Sequence, residues 1–189
     1  MKIIAGKYYK KNLISQQSTT TRPILSRVRE NLFNVLNNYF YYENKVALDL
    51  FAGSGSIGLE ALSRNISYCY FNDYDSQALE YLKKNIVNLK VADHNYMITN
   101  LSYLVCLKFL VNNNIKIDLV FINPPYKEIS YYYETIKYLL TQNIVNNYGI
   151  IILESNATLD INYEHLELLT MKKYGRIFLY FYRYTMERK

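Results

Sequence analysis

The sequence predicts an α/β fold: a seven-stranded, mostly parallel sheet covered by helices on both faces, closed by a C-terminal antiparallel hairpin and preceded by a basic N-terminal arm. Three observations lead there. Strand-like and helix-like segments alternate five times between residues 45 and 155, which calls for right-handed crossovers and parallel pairing. A glycine-rich turn, "AGSGSIG", joins the first strand to its helix. The tail breaks the rhythm, with two strand-like runs and no helix between them.

After the arm, Val28, Leu32, Val35, Leu36, Tyr39 and Phe40 recur at helical spacing, with Ser26 as a candidate N-cap. "KVALDLF" (45–51) reads as a buried strand, and a helix follows the glycine turn through about Arg64. "SYCYFND" (67–73) is the second strand. Asp75 can cap the next helix, whose apolar stripe is Ala78, Leu79, Leu82, Ile86 and Leu89. "NYMIT" is a weak third strand before the helix "LSYLVCLKFLV"; "KIDLVFI" (116–122) is the fourth, before the helix "YYYETIKYLLTQ". "GIIILES" (149–155) is the fifth, and "HLELLTMKKYGRIFLYFYRYT" supplies two more strands joined around "KKYG".

A chain of 189 residues reads as one domain, with residues 1–30 as the arm and 31–189 as the core. The beginning, "MKIIAGKYYKKNL", lacks an apolar h-region, and no stretch approaches 18 uninterrupted apolar residues. The reading is therefore no signal peptide, no transmembrane span and no membrane partner. Cys69 and Cys106 have no CxxC spacing and read as small buried hydrophobes in a reducing cytoplasm; no metal site is expected. The 22 tyrosines read as compositional bias, most of them serving the core. The net charge of +6 is local. Residues 1–30 hold seven basic side chains and one acidic, whereas the remaining 159 hold 15 of each. A basic patch on a neutral body suggests a polyanion, nucleic acid ahead of membrane.

In open α/β sheets, ligands bind beyond the carboxyl ends of the strands. Those ends are Asp49 to Gly58, Asp73, Asn100, Asn123 to Tyr126, and Glu154. Gly53, Gly55 and Gly58 form a G-x-G-x-x-G pattern, and Asp73 follows at the end of the next strand, where a carboxylate can bind both hydroxyls of a ribose. That pattern fits a nicotinamide or flavin enzyme as well as an adenosyl-group binder. Asp49, four residues before Gly53, favours the latter. A carboxylate repels a pyrophosphate but suits the sulfonium and ammonium groups of S-adenosylmethionine.

"NPPY" (123–126) ends the fourth strand. Each proline forces the residue before it into extended geometry, so the segment is a rigid spur without N–H donors at 124 and 125. Asn123 offers a side-chain acceptor and Tyr126 a flat face. Two acceptors and a stacking ring suit an exocyclic amine on a planar base, held so that its lone pair meets an electrophilic methyl. Such a base must be flipped or already unpaired.

"DLFAGSGSIG" with "NPPY" resembles the class I S-adenosylmethionine-dependent amino-methyltransferases, with their Rossmann-like fold. "IIAGKYYKKNL", "TRPILSRVRENLFNVL" and "LDLFAGSGSIGLEALSR" resemble, more narrowly, the bacterial 16S rRNA (guanine(966)-N(2))-methyltransferase family. The resemblance covers nearly the whole chain and implies S-adenosylmethionine as cofactor and S-adenosylhomocysteine as product. It implies Asp49, Gly53 and Gly55 at the methionine end, Phe51 in the cofactor set, Asp73 at the ribose and Asn100 at the adenine edge. It implies Asn123, Pro124 and Tyr126 at the amine. Arg22, Arg27 and Arg29, with Lys7, Lys10 and Lys11, would touch 16S rRNA, within a small-subunit ribosomal particle, the protein acting as a monomer. One position departs: the family usually has Asp where this chain has Asn123. Asn is more typical of adenine-N6 methyltransferases, so a DNA adenine-N6 methyltransferase is the alternative, ahead of a nicotinamide-dependent oxidoreductase.

Overall fold

The computed structural model describes residues 1–15 and 26–186. Its strands are β1 (Val46–Asp49), β2 (Tyr68–Asn72), β3 (Tyr96–Thr99), β4 (Ile117–Ile122), β5 (Val145–Ser155), β6 (Leu166–Tyr174) and β7 (Ile177–Tyr184). The helices are α1 (Ser26–Leu36), α2 (Ser56–Ser63), α3 (Ser76–Leu89), α4 (Tyr103–Asn112) and α5 (Ser130–Thr141), with a 3-10 turn at Asp93–Asn95. One sheet contains all seven strands in the order β3-β2-β1-β4-β5-β7-β6. The first five run parallel, and β7 enters antiparallel between β5 and β6. Gly175, at φ +61 in the two-residue connection between Tyr174 and Ile177, makes the hairpin turn. The seven-stranded, mostly parallel sheet with its closing hairpin is the architecture expected.

The central strands are apolar without alternation because both faces are covered. Phe71, Leu119, Phe121, Ile150 and Ile152 point into one core, packed with α1, α2 and α3. Leu48, Val120, Ile122, Ile151 and Leu153 point into the other, under α4 and α5. The Asp75 side chain caps α3, accepting from the backbone N–H groups of Gln77 and Ala78. Helix α1 is described from Ser26 onward, so the cap expected at Ser26 falls at the edge of the described residues. Cys69 and Cys106 are buried and unpaired.

Two expectations need correction. Strand β5 starts at Val145, four residues before Gly149. The polar "NNY" (146–148) before the apolar run is taken into the strand by an irregularity in the β4 pairing, between Ile117↔Val145 and Leu119↔Ile150. The N-terminal arm, expected to lie outside the core, also packs into it. Its first 15 residues fold back through a Lys2↔Asn12 bridge and bury Ile3 and Leu13 in the core shared with α2 and α3. The amides of Ile4 and Ala5 donate to the Glu60 carboxylate at 2.8 and 3.0 Å, and Asn85 both donates to and accepts from Ile14.

Arg29, expected to touch RNA, is 0% exposed. Its guanidinium donates to the Lys2 carbonyl and to Met1 Sδ, clamping α1 to the hairpin. Burial lowers its pKa, and the nearby Glu60 charge opposes that shift. Glu60 is itself fully buried and also accepts from Arg64 Nε at 2.9 Å. Replacing it strands three donors and leaves buried positive charge uncompensated. Glu60→Ala is therefore expected to lower the unfolding free energy by about 3 kcal/mol, read from urea unfolding; an unchanged midpoint would show that the hairpin does not depend on this carboxylate.

Candidate active site at the strand ends

An open cavity of about 1010 Å³ lies at the carboxyl ends of β1, β2, β4 and β5, where the strand order reverses on either side of β1. The glycine loop forms one wall. Gly53 has φ +54 and Gly55 φ +79, conformations that L side chains rarely adopt. At Gly55 a Cβ would also come within 2.2 Å of Leu82 Cδ1. The Gly53 N–H donates to Asp73 Oδ2 at 2.7 Å and the Asp75 N–H to Asp73 Oδ1 at 2.9 Å. Each oxygen retains a second lone pair, so Asp73, which lines the cavity, has capacity for two vicinal hydroxyls.

Three proposed cofactor residues are not on the wall. Asp49 lies behind the loop, 1% exposed. Its Oδ2 turns toward α2 and accepts the Gly58 N–H at 2.9 Å, while Oδ1 is buried without a partner among the described residues. Burial pushes its pKa up to about 7 against the stabilising Gly58 bond. Gly55 shapes the turn from below. Asn100, expected at an adenine edge, spends its side-chain nitrogen on the carbonyls of Asp73 and Tyr74, pinning the turn after β2. Its neighbours Leu101 and Ser102 line the cavity instead.

The spur makes the opposite wall: Asn123, Pro124, Pro125 and Tyr126 all line it, as does Glu154 from the tip of β5. Tyr126 Oη donates to Glu154 Oε1 at 2.8 Å. Asn123 Oδ1 and Glu154 Oε2 are buried without hydrogen-bond partners among the described residues. Burial raises the Glu154 pKa to about 7, partly offset by the Tyr126 bond.

A third wall was not foreseen. Phe51, Tyr103 and Tyr131 form an aromatic shelf, with ring centroids 5.8 Å apart for Phe51–Tyr103, 6.3 Å for Phe51–Tyr131 and 4.3 Å for Tyr103–Tyr131. Only Phe51 was named from the sequence. The signal for the two tyrosines was their position, each at the start of a helix following a strand end.

Lys7, Lys10, Lys11 and Arg27 are exposed; Arg22 lies outside the described residues. Ser15, at the end of the hairpin, lines the cavity, so the basic segment leads to its rim. Among the described residues no group of three or more His, Cys, Asp or Glu could hold a metal, and no helix is long and apolar enough to cross a membrane.

The chain matches the family described as "Conserved hypothetical protein 95" over residues 1–183. It is 39% identical to the Haemophilus influenzae ribosomal RNA small subunit methyltransferase D over 126 residues, 67% of this chain and 64% of that one. It is 30% identical to an uncharacterized methylase of Rickettsia prowazekii, covering 98% of each. Among solved structures, a provisionally assigned Escherichia coli methyltransferase, yhhF, superimposes with a TM-score of 0.83 at 27% identity, covering 99% of each chain.

The carboxylates at the strand ends set a pH dependence. The folded-state pKa values of Asp49 and Glu154, each about 7, lie above their ordinary values of 3.8 and 4.5, and burial also raises that of Asp73. The folded chain then holds protons that the unfolded chain releases, so this contribution is fully present below about pH 4 and is lost as pH rises through about 7. The decrease in urea midpoint between pH 5 and 8 is expected to be smaller in Asp49→Asn and in Glu154→Gln than in the parent protein. Parallel pH profiles would refute the assignment.

Proposed function

This chain belongs to the family described as "Conserved hypothetical protein 95", and from that membership we propose that it is an S-adenosylmethionine-dependent rRNA methyltransferase that modifies the exocyclic N2 amine of a guanine in 16S rRNA. Guanine 966 is the position implied by the resemblance of its motifs. The observation carrying this reading is one cavity in which Gly53 and Asp73 face the Asn123–Tyr126 spur. The relatives support it, since one of them is a small-subunit rRNA methyltransferase by name.

The residues present fit the cofactor. S-adenosylmethionine, when bound, supplies an electrophilic methyl group. Asp73 has the lone pairs to accept both ribose hydroxyls, and the Gly53 backbone presents no side chain between that carboxylate and the loop. Asp49, behind the loop, adds negative potential that favours a cationic ligand. Asn123 Oδ1, buried without a partner among the described residues, accepts a hydrogen from the substrate amine and so orients its lone pair. Tyr126 stacks on the base. Orientation and fixed acceptors do most of the work on so weak a nucleophile.

The exposed lysines of the hairpin and Arg27 would meet the phosphate backbone. The proposed substrate is a small-subunit ribosomal particle in the cytoplasm, met by the protein as a monomer. The hairpin shares a core with α2 and α3, which supports treating residues 1–189 as one domain. Asn123 itself favours the second reading, adenine-N6 methylation of DNA, and mapping methylated bases in small-subunit rRNA and genomic DNA with and without the gene separates the two.

Asn123→Ala is expected to reduce methyl transfer to small-subunit RNA by about a hundredfold or more while calorimetry shows S-adenosylhomocysteine binding intact; undiminished transfer would remove Asn123 from the amine site. Replacing Lys7, Lys10 and Lys11 with Ala is expected to flatten the salt dependence of RNA binding by about one log–log unit per lost phosphate contact. A slope unchanged by all three would place the RNA on another face.

A further inference from the structure

We propose that Glu154 is the residue by which this site selects guanine: its Oε2 accepts the ring N1–H of the acceptor base while Asn123 Oδ1 accepts a hydrogen of the adjacent N2 amine. The proposal rests on the reading of the acceptor given above.

The geometry begins with the sheet. Ile122 of β4 and Leu153 of β5 are register partners in a parallel pair, and Asn123 and Glu154 each stand one residue beyond them. The two side chains therefore emerge side by side from neighbouring strand tips, about 5 Å apart, and both line the cavity. Each carries a buried oxygen with no hydrogen-bond partner among the described residues. A buried acceptor without a donor is costly, and two beside each other ask for a ligand with two adjacent donors. The Watson–Crick edge of guanine has that pattern in N1–H and N2–H. Adenine presents its unprotonated N1 beside the N6 amine and would set a lone pair against the carboxylate.

Asn123 cannot make this choice alone. An amide has both an acceptor and a donor, which suits the adenine edge as well as the guanine amine. Glu154 restores the missing carboxylate from the next strand. Tyr126 Oη occupies Oε1, which fixes the carboxylate and directs its ligand-binding capacity to Oε2. The Tyr132 hydroxyl holds the Glu154 carbonyl from α5, and Leu179 faces Glu154 across the β7 pairing. The ionisable groups next to Tyr126 on this wall are Lys127 and Glu128. Burial is the main cause of the high Glu154 pKa and Tyr126 the opposing one.

The test compares small-subunit rRNA carrying guanine at the mapped position with the same RNA carrying 2-aminopurine, which keeps the amine but has an unprotonated N1. The parent protein is expected to favour guanine in kcat/KM by about tenfold or more. In Glu154→Gln, whose amide can donate to that nitrogen, the preference is expected to shrink by a similar factor. A merely structural role would slow both substrates equally and leave the ratio untouched. Tyr126→Phe keeps the carboxylate but removes the bond that opposes its raised pKa, so its rate should fall and the rise of its guanine preference should move to higher pH. Should Glu154→Gln fail to fold, the parent protein decides: its preference for guanine must rise between pH 6 and 8 as the carboxylate ionises. Equal use of the two bases, a ratio unmoved by Glu154→Gln, or a preference flat with pH overturns the proposal while leaving rRNA guanine methylation standing. Transfer to adenine with none to guanine removes the acceptor reading and this inference together.

Discussion

Helix α2 lies where it does because residue 58 has no side chain. A Cβ there would stand 2.3 Å from Phe71 Cε1 and 2.8 Å from Cys69 Sγ, so no other residue lets the helix approach β2 this closely. That approach brings the Gly58 N–H to Asp49 Oδ2 and ties the helix to the tip of β1. The loop between them is then held at both ends. Its middle is fixed laterally, since the Gly53 N–H donates to Asp73 and the Asn72 amide donates to the carbonyls of Leu50 and Leu101. The ends of β1, β2 and β3 become one rigid rim, and preorganisation of that kind makes fixed acceptors useful in a transition state.

The outer side of the same helix explains the N-terminal hairpin. All eight residues of α2 are buried, which a helix on the surface of a sheet achieves only when something covers it. The covering segment is the most basic part of the chain. Glu60 and Ser63 on the helix receive its backbone amides, the Lys7 N–H reaching the Ser63 carbonyl at 2.8 Å and the Tyr8 N–H the Ser63 hydroxyl at 3.0 Å. Lys7, Lys10 and Lys11 therefore project from a segment held against the catalytic core. Their charge is thus held at a set position on the molecule, where its attraction for a polyanion is screened by salt.

Much of this was legible in the sequence for a physical reason. Strands buried on both faces leave continuous apolar runs, and the glycine loop and the two prolines impose local backbone requirements that no distant contact overrides. What could not be read depends on contacts remote in the chain. The charge of Arg29 was visible, but its burial depends on Met1 and Lys2. Asn100 was correctly placed at a strand end, yet its amide serves the turn after β2. Tyr103 and Tyr131 were lost among 22 tyrosines, and only their meeting with Phe51 sets them apart. Glu154 reads from the sequence as a strand end without a role; its signal is a carboxylate directly after the apolar run "IIIL" of the fifth strand.

The polar groups of the cavity wall also decide between ligand classes. Asp73, Asn123 and Glu154 offer acceptor oxygens, with Asp49 close behind the loop. Two like charges 4 Å apart cost about 4 kcal/mol at an effective dielectric of 20, so a pyrophosphate on the loop above an ionised Asp49 would face repulsion, whereas Asp73, a ribose partner in either ligand class, does not discriminate. A ligand that brings hydroxyls, amines and a positive charge meets the opposite situation, because the wall oxygens of Asn123 and Glu154, without donors among the described residues, are open to its own. The glycine loop alone permits a dinucleotide. Asp49 behind it disfavours one, and acceptor character extends across the cavity to the spur, where a base must present its donors. One electrostatic rule thus governs both halves of the site.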